Sequence, residues 1–256
     1  MFRSPLISTL VLLLTLPFGA HARELSPLVS TDWLAEHRGG DGLVILDIRN
    51  AIDGGDRETF EQGHIPGAVY SSYTAAGWRQ TEGDVPGKLP PVEDLEQLIG
   101  SLGIDNEADV VIVPAGVGST DFGSAARVYW TFRVLGHDDV AILNGGHRAW
   151  VEAGHAVETG WNEPASAAFD ADFRPELIAD TDEVQQARAA GVQLVDNRPA
   201  QQYQGEAKHP AARAAGTIPD SINLQQGRLV ADGTAFVVDR EELLALMEQA
   251  GVSGDG

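Results

Sequence analysis

The feature that most constrains this chain is that it is written almost twice. Residues 93–104 (EDLEQLIGSLGI) line up with residues 241–252 (EELLALMEQAGV) at a spacing of 148, each an amphipathic helical pattern. Residues 43–49 (LVILDIR) match residues 192–198 (VQLVDNR) at 149, pairing Asp47 with Asp196 and Arg49 with Arg198. Residues 30–34 meet 180–184 at 150, and residues 63–69 (GHIPGAV) meet 216–222 (GTIPDSI) at 153. A period this long exceeds that of solenoid repeats and marks a duplicated domain.

Within the first copy, short apolar runs alternate with helical stretches. Residues 43–49, 110–114 (VVIVP) and 140–143 (VAIL) have strand length and branched side chains. Residues 93–102 and 124–135 have helical periodicity. Fully apolar strands separated by helices predict an α/β fold, with a parallel sheet covered on both faces. Residues 160–175 lack apolar periodicity, carry two prolines, and are expected to link the copies. The expected organisation is a leader over residues 1–22, a first domain over 23–159, the linker over 160–175 and the front half of a second domain over 176–256. At the 148-residue spacing Gly256 corresponds to Ala108. The second copy thus lacks counterparts of two apolar strands and their loop, and the expectation is a chain that is cut short.

The leader follows from residues 1–22 (MFRSPLISTLVLLLTLPFGAHA), with Arg3 near the start, an apolar run from Leu6 to Phe18, and Ala20-His21-Ala22 as a small-x-small cleavage site. Thr9, Thr15 and Pro17 interrupt the run, which falls short of the about 20 apolar residues that span a bilayer. The expected mature protein begins at Arg23, is exported to a bacterial periplasm, and is a monomer without membrane attachment. Against 38 acidic residues stand 17 basic ones, a net charge of -21, which argues against nucleic acid as a partner. The absence of cysteine excludes disulfides, thiolate metal sites and a thiol nucleophile within these 256 residues.

The order LDIR, GHIPGAV, AARVYW and LNGGHRAW resembles the rhodanese family, and the doubled arrangement is similar to its tandem sulfurtransferases, which act on thiosulfate or 3-mercaptopyruvate. The resemblance spans residues 29–256. It implies transfer of a sulfane sulfur through a cysteine persulfide to a thiol or cyanide, with no cofactor and no metal. Such chemistry needs a low-pKa thiolate among backbone N–H groups at a helix N-terminus. In tandem members the second domain usually supplies it. The corresponding loop of the first copy is residues 114–127, with Ala115 at about the nucleophile's place, so that copy is expected to be catalytically silent. The second-copy cysteine is expected at about position 263, and the supplied chain alone is expected to be inactive. The resemblance also implies that Arg198 binds the anionic donor, while pairing with a neighbouring acid or capping the turn before Pro199 is its structural alternative. Asp196 is expected to orient the turn. The competing functional class is a rhodanese-like binding or regulatory module with no cysteine in either copy.

Residues 116–123 (GVGSTDFG) resemble a phosphate loop only superficially. Asp121 stands where a third Gly is needed, and no Walker lysine follows. Ser119 and Asp121 lack a Gly-x-Ser-x-Gly elbow for a hydrolase triad. His64 is expected to pack in its turn. His137, His147 and His155 lack the spacing of a helical metal pair. Trp78, Trp130 and Trp150 are expected in the core or at a domain interface.

Overall fold

The computed structural model describes residues 25–161 and 163–253. The expected leader lies outside them. Five strands form a parallel sheet: β1 (Leu28–Val29), β2 (Leu43–Asp47), β3 (Val69–Tyr70), β6 (Asp109–Val113) and β7 (Val140–Leu143), in the spatial order β1-β7-β6-β2-β3. Alternation along the central strands sends side chains to opposite faces. Ile112 and Ile142 join Leu95, Ile99, Val128 and Phe132 on one face, under α3 (Val92–Ser101) and α4 (Ser119–Val134). Val111, Val113 and Leu143 join Leu34, Phe60 and Trp150 on the other, under α1 (Thr31–His37), α2 (Arg57–Gln62) and α5 (Gly146–Glu152). Burial on both faces is what removes polar alternation from these strands. The hairpin β4 (Gln80–Glu82) and β5 (Val85–Lys88) stands apart as a two-stranded antiparallel sheet.

Residues 163–174 hold no helix or strand but pack along the first unit as a strap. Ala167 N donates to Gly100 O, Asp172 N to Leu135 O and Arg174 N to Val134 O, while Phe169 is buried against Phe132. Beyond it come α6 (Thr181–Ala189), β8 (Val195–Asp196), α7 (Ala200–Tyr203), β9 (Ile222–Asn223) and α8 (Arg240–Ala250). This is the order α1-β2-α2-β3-α3 over again. The register repeats as well: Leu46 opposes Val69 and Asp47 opposes Tyr70, as Val195 opposes Ile222 and Asp196 opposes Asn223. Ser30 and Asp180, 150 residues apart, each cap the first helix of their unit.

The surroundings of the two copies differ. β2 lies between β6 and β3, whereas β8 pairs only with β9 among the described residues. Leu46 and Ile65 are fully buried, while their counterparts Val195 and Ile218 are 40% and 48% exposed. Residues 192–198, the match of the strand-length run 43–49, form only two strand residues, since a strand with one edge unpaired among the described residues has half the ladder to hold it.

Candidate active site

In an open α/β sheet ligands bind beyond the carboxyl ends of the strands. Three segments meet there in the first unit: the turn after β2 carrying Arg49, the loop after β6 carrying Ala115, and the turn after β7 at Gly145 and Gly146. LVILDIR was expected to be strand throughout, but β2 stops at Asp47. The Asp47 carboxylate accepts hydrogen bonds from Arg49 N (3.1 Å) and Arg49 Nε (3.0 Å), which bends the chain out of the sheet. Arg49 Nη2 also donates to Gly63 O (2.9 Å), and its Nη1 faces His147 Nδ1 at 3.5 Å. Burial pushes the Asp47 carboxyl upward against the opposing pull of Arg49. Burial, with Arg49 and His64 nearby, lowers His147 to about 4, so its imidazole is neutral at pH 7.

The second unit reproduces the Asp-x-Arg turn and the guanidinium-to-glycine bond, without a counterpart of the His147 contact among the described residues. Asp196 accepts from Arg198 N (2.9 Å) and Arg198 Nε (3.0 Å), and Arg198 Nη2 donates to Gly216 O (2.9 Å), the counterpart of Gly63. Thr217 Oγ1 adds a hydrogen bond to Asp196 at 2.6 Å. The Arg198 hydrogen bonds hold the Asp196 carboxyl well below the usual carboxylate range, and Asp196 in turn raises Arg198. Asp196 therefore orients the turn, and Arg198 does pair with a neighbouring acid. One edge of the guanidinium stays available. Arg198 is about half exposed, its Nη1 makes no hydrogen bond among the described residues, and it lines a cavity of about 530 Å³ with Asn197, Gly216, Thr217 and Ser221. At this site an oxyanion meets a fixed cation, while the Thr217 and Ser221 hydroxyls are engaged with Asp196 and Ile218 O.

The loop after β6 is closed. Expected as an irregular segment as far as residue 123, it becomes helix at Ser119, and Asp121 in the first turn of α4 folds back over it. The Asp121 carboxylate accepts from the backbone N–H groups of Ala115 (3.0 Å), Gly116 (2.6 Å) and Val117 (3.0 Å), and it is 2% exposed. Gly116 adopts φ +93°, and a Cβ there would collide with Gly145 O, so this turn requires glycine. Asp121, Arg49 and His147 are the site residues that sequence reasoning missed. The signal for Asp121 was available, as an acidic side chain in a first helical turn directly after a Gly-rich loop. His64 packs as expected, with its ring stacked on Phe60 and Nδ1 against Phe60 O. Trp78 and Trp150 are buried, and Trp130 reaches Leu177 O beyond the strap.

The Rhodanese-like domain model matches residues 30–153. Thiosulfate sulfurtransferase of Bos taurus is 35% identical over 234 residues, covering 86% of this chain and 76% of that protein. The chain belongs to the rhodanese family. Another member, the 3-mercaptopyruvate sulfurtransferase of Escherichia coli K12, is 31% identical over 233 residues, covering 89% of this chain and 80% of the relative. The crystal structure of the 3-mercaptopyruvate sulfotransferase SseA from Escherichia coli superimposes with a TM-score of 0.78 at 29% identity, covering 90% of this chain and 86% of that one. The parallel sheet flanked by helices is the rhodanese fold.

Proposed function

We propose that this rhodanese is a sulfurtransferase that moves a sulfane sulfur from thiosulfate or 3-mercaptopyruvate to a thiol or cyanide, with Arg198 holding the anionic donor. The support is the similarity to two named sulfurtransferases over most of the chain. The observation that carries the role of Arg198 is that the residue lines the cavity with its guanidinium locked by Asp196 and its Nη1 without a hydrogen bond among the described residues. A protein of net charge -21 repels a dianion at long range, so a fixed cation at the pocket is the element that retains it.

The transfer requires a thiolate that attacks the outer sulfur of thiosulfate or the single sulfur of 3-mercaptopyruvate, forming an S–S bond as sulfite, or the enolate of pyruvate that then takes up a proton, leaves with the electron pair of the broken bond. The 256 residues contain no cysteine. We place the nucleophile on the second-unit counterpart of the Ala115 loop, at about position 263 by the internal spacing. Two tandem rhodanese units, the first silent, belong to this reading, and the leader pattern of residues 1–22 is the separate support for export to the periplasm. Binding of thiosulfate to the 256-residue chain, followed by titration calorimetry, tests Arg198. Arg198→Met is expected to weaken binding at least about tenfold, the loss of one charge-assisted hydrogen bond. Equal binding by both proteins removes Arg198 from the site.

A further inference from the structure

We propose that Asp121 is an internal ligand: its carboxylate occupies an oxyanion cradle in the first unit and keeps it shut, so that the anionic donor is confined to the second unit. The inference rests on the sulfurtransferase reading for the identity of the donor. Its physical basis is separate.

The first observation is inside the loop. The N–H groups of Ala115, Gly116 and Val117 converge on a single carboxylate at 3.0, 2.6 and 3.0 Å, in a place 2% exposed to solvent. A concavity of successive backbone N–H groups is an anion site, and this one holds an anion that the chain itself provides. Without Asp121 the buried Gly116 N–H and the half-buried N–H groups of Ala115 and Val117 would lose their common acceptor, and a small oxyanion offers the same acceptor geometry.

The second observation is outside the loop. The second unit packs beside it: the Phe236 ring packs on Gly145, Val237 N donates to Asn144 Oδ1 at 2.9 Å, and Gly227 approaches Ser119. A Cβ at Gly145 would fall 2.5 Å from the Phe236 ring, so the contact is close. The cradle is thus filled from within and flanked by the second unit, with Val117 at its outer edge 46% exposed, whereas Arg198 lines an open cavity of the second unit. An unfilled cradle in a unit with no nucleophile would bind donor without turning it over. Asp121 prevents that competition.

The test is site-resolved NMR of the 256-residue chain, titrated with sodium sulfate against sodium chloride at equal ionic strength. In the wild type the amide signals of residues 115–117 are expected to be insensitive to sulfate. In Asp121→Ser they are expected to shift saturably, with an apparent affinity at least about tenfold above the wild type, as one regained charge-assisted hydrogen bond requires. Saturable wild-type shifts at these amides, or none in a folded Asp121→Ser protein, overturn the proposal. Asp121→Asn keeps the shape and covers the case of a serine variant that does not fold. Its neutral amide pairs fewer of the three donors, so hydrogen exchange at residues 115–117 should rise, and unchanged exchange also overturns the proposal. Amides around Arg198 report the donor site in the same spectra, so failure of the donor assignment is distinguishable from failure of the cradle.

Discussion

Replacing Arg49 and Arg198 separately by Met asks how one motif behaves in two environments. Both arginines make the same bonds to an aspartate two residues before and to a glycine carbonyl. In the first unit the pair is sequestered, with side chains 8% and 0% exposed for Arg49 and Asp47; in the second the values are 45% and 10%. Met preserves much of the aliphatic stem but leaves the buried Asp47 without its cation and Gly63 O without its donor. Removing one partner of a buried pair costs roughly 3–5 kcal/mol. The exposed pair is worth about 0–1 kcal/mol. Burial already places the Asp47 carboxyl above its ordinary value, and loss of Arg49 raises it further. A folded-state carboxyl pKa above the unfolded one favours the fold as pH falls through it, so the Arg49→Met penalty should shrink in acid. Urea unfolding followed by tryptophan fluorescence is the assay, because all five tryptophans, at 33, 78, 130, 150 and 161, lie in or beside the first unit. With a urea slope of roughly 1–3 kcal/mol per molar, Arg49→Met should lower the midpoint by about 1 M or more and Arg198→Met by well under that. Equal shifts, or an Arg49→Met protein as stable as the wild type, would refute the argument from burial.

Two further outcomes follow from the structure and the leader. His147 should titrate near pH 4 by NMR; since the unfolded chain protonates from about 6.5, its contribution to stability is full above that value and is lost as pH falls toward 4. Burial raises Asp53 to about 6, which acts in the opposite direction, so the titrations must be resolved by residue rather than read from a global melt. N-terminal sequencing of exported protein should begin at Arg23, and a start at Met1 contradicts the leader.

The parallel sheet was legible in the sequence because β2, β6 and β7 are apolar on both faces and retain the branched residues that such strands need. Strands β1 and β3 were not, since two residues each carry no periodicity and are strands only because β7 and β2 pair with them. The Asp196–Arg198 turn was readable through its first-unit copy. That Arg49 is buried while Arg198 is half exposed was not, because the difference comes from the elements packed around each turn, and the two motifs are nearly the same string. In the sequence Asp121 stands out only as the acid at the place where a phosphate loop needs its third Gly. The structure places that charge on the loop's own N–H groups, a contact between residues four to six apart that depends on where α4 begins.

Thiocyanate release from thiosulfate and cyanide tests the proposed activity most directly. The 256-residue polypeptide is expected to release none above the uncatalysed rate, whereas a polypeptide continued in frame past Gly256 to a cysteine near position 263 is expected to release it and to stop when that cysteine becomes serine. Thiocyanate formed by the 256 residues alone would contradict the requirement for a cysteine persulfide. A continued frame that forms none, or that contains no cysteine there, would contradict the sulfurtransferase reading itself.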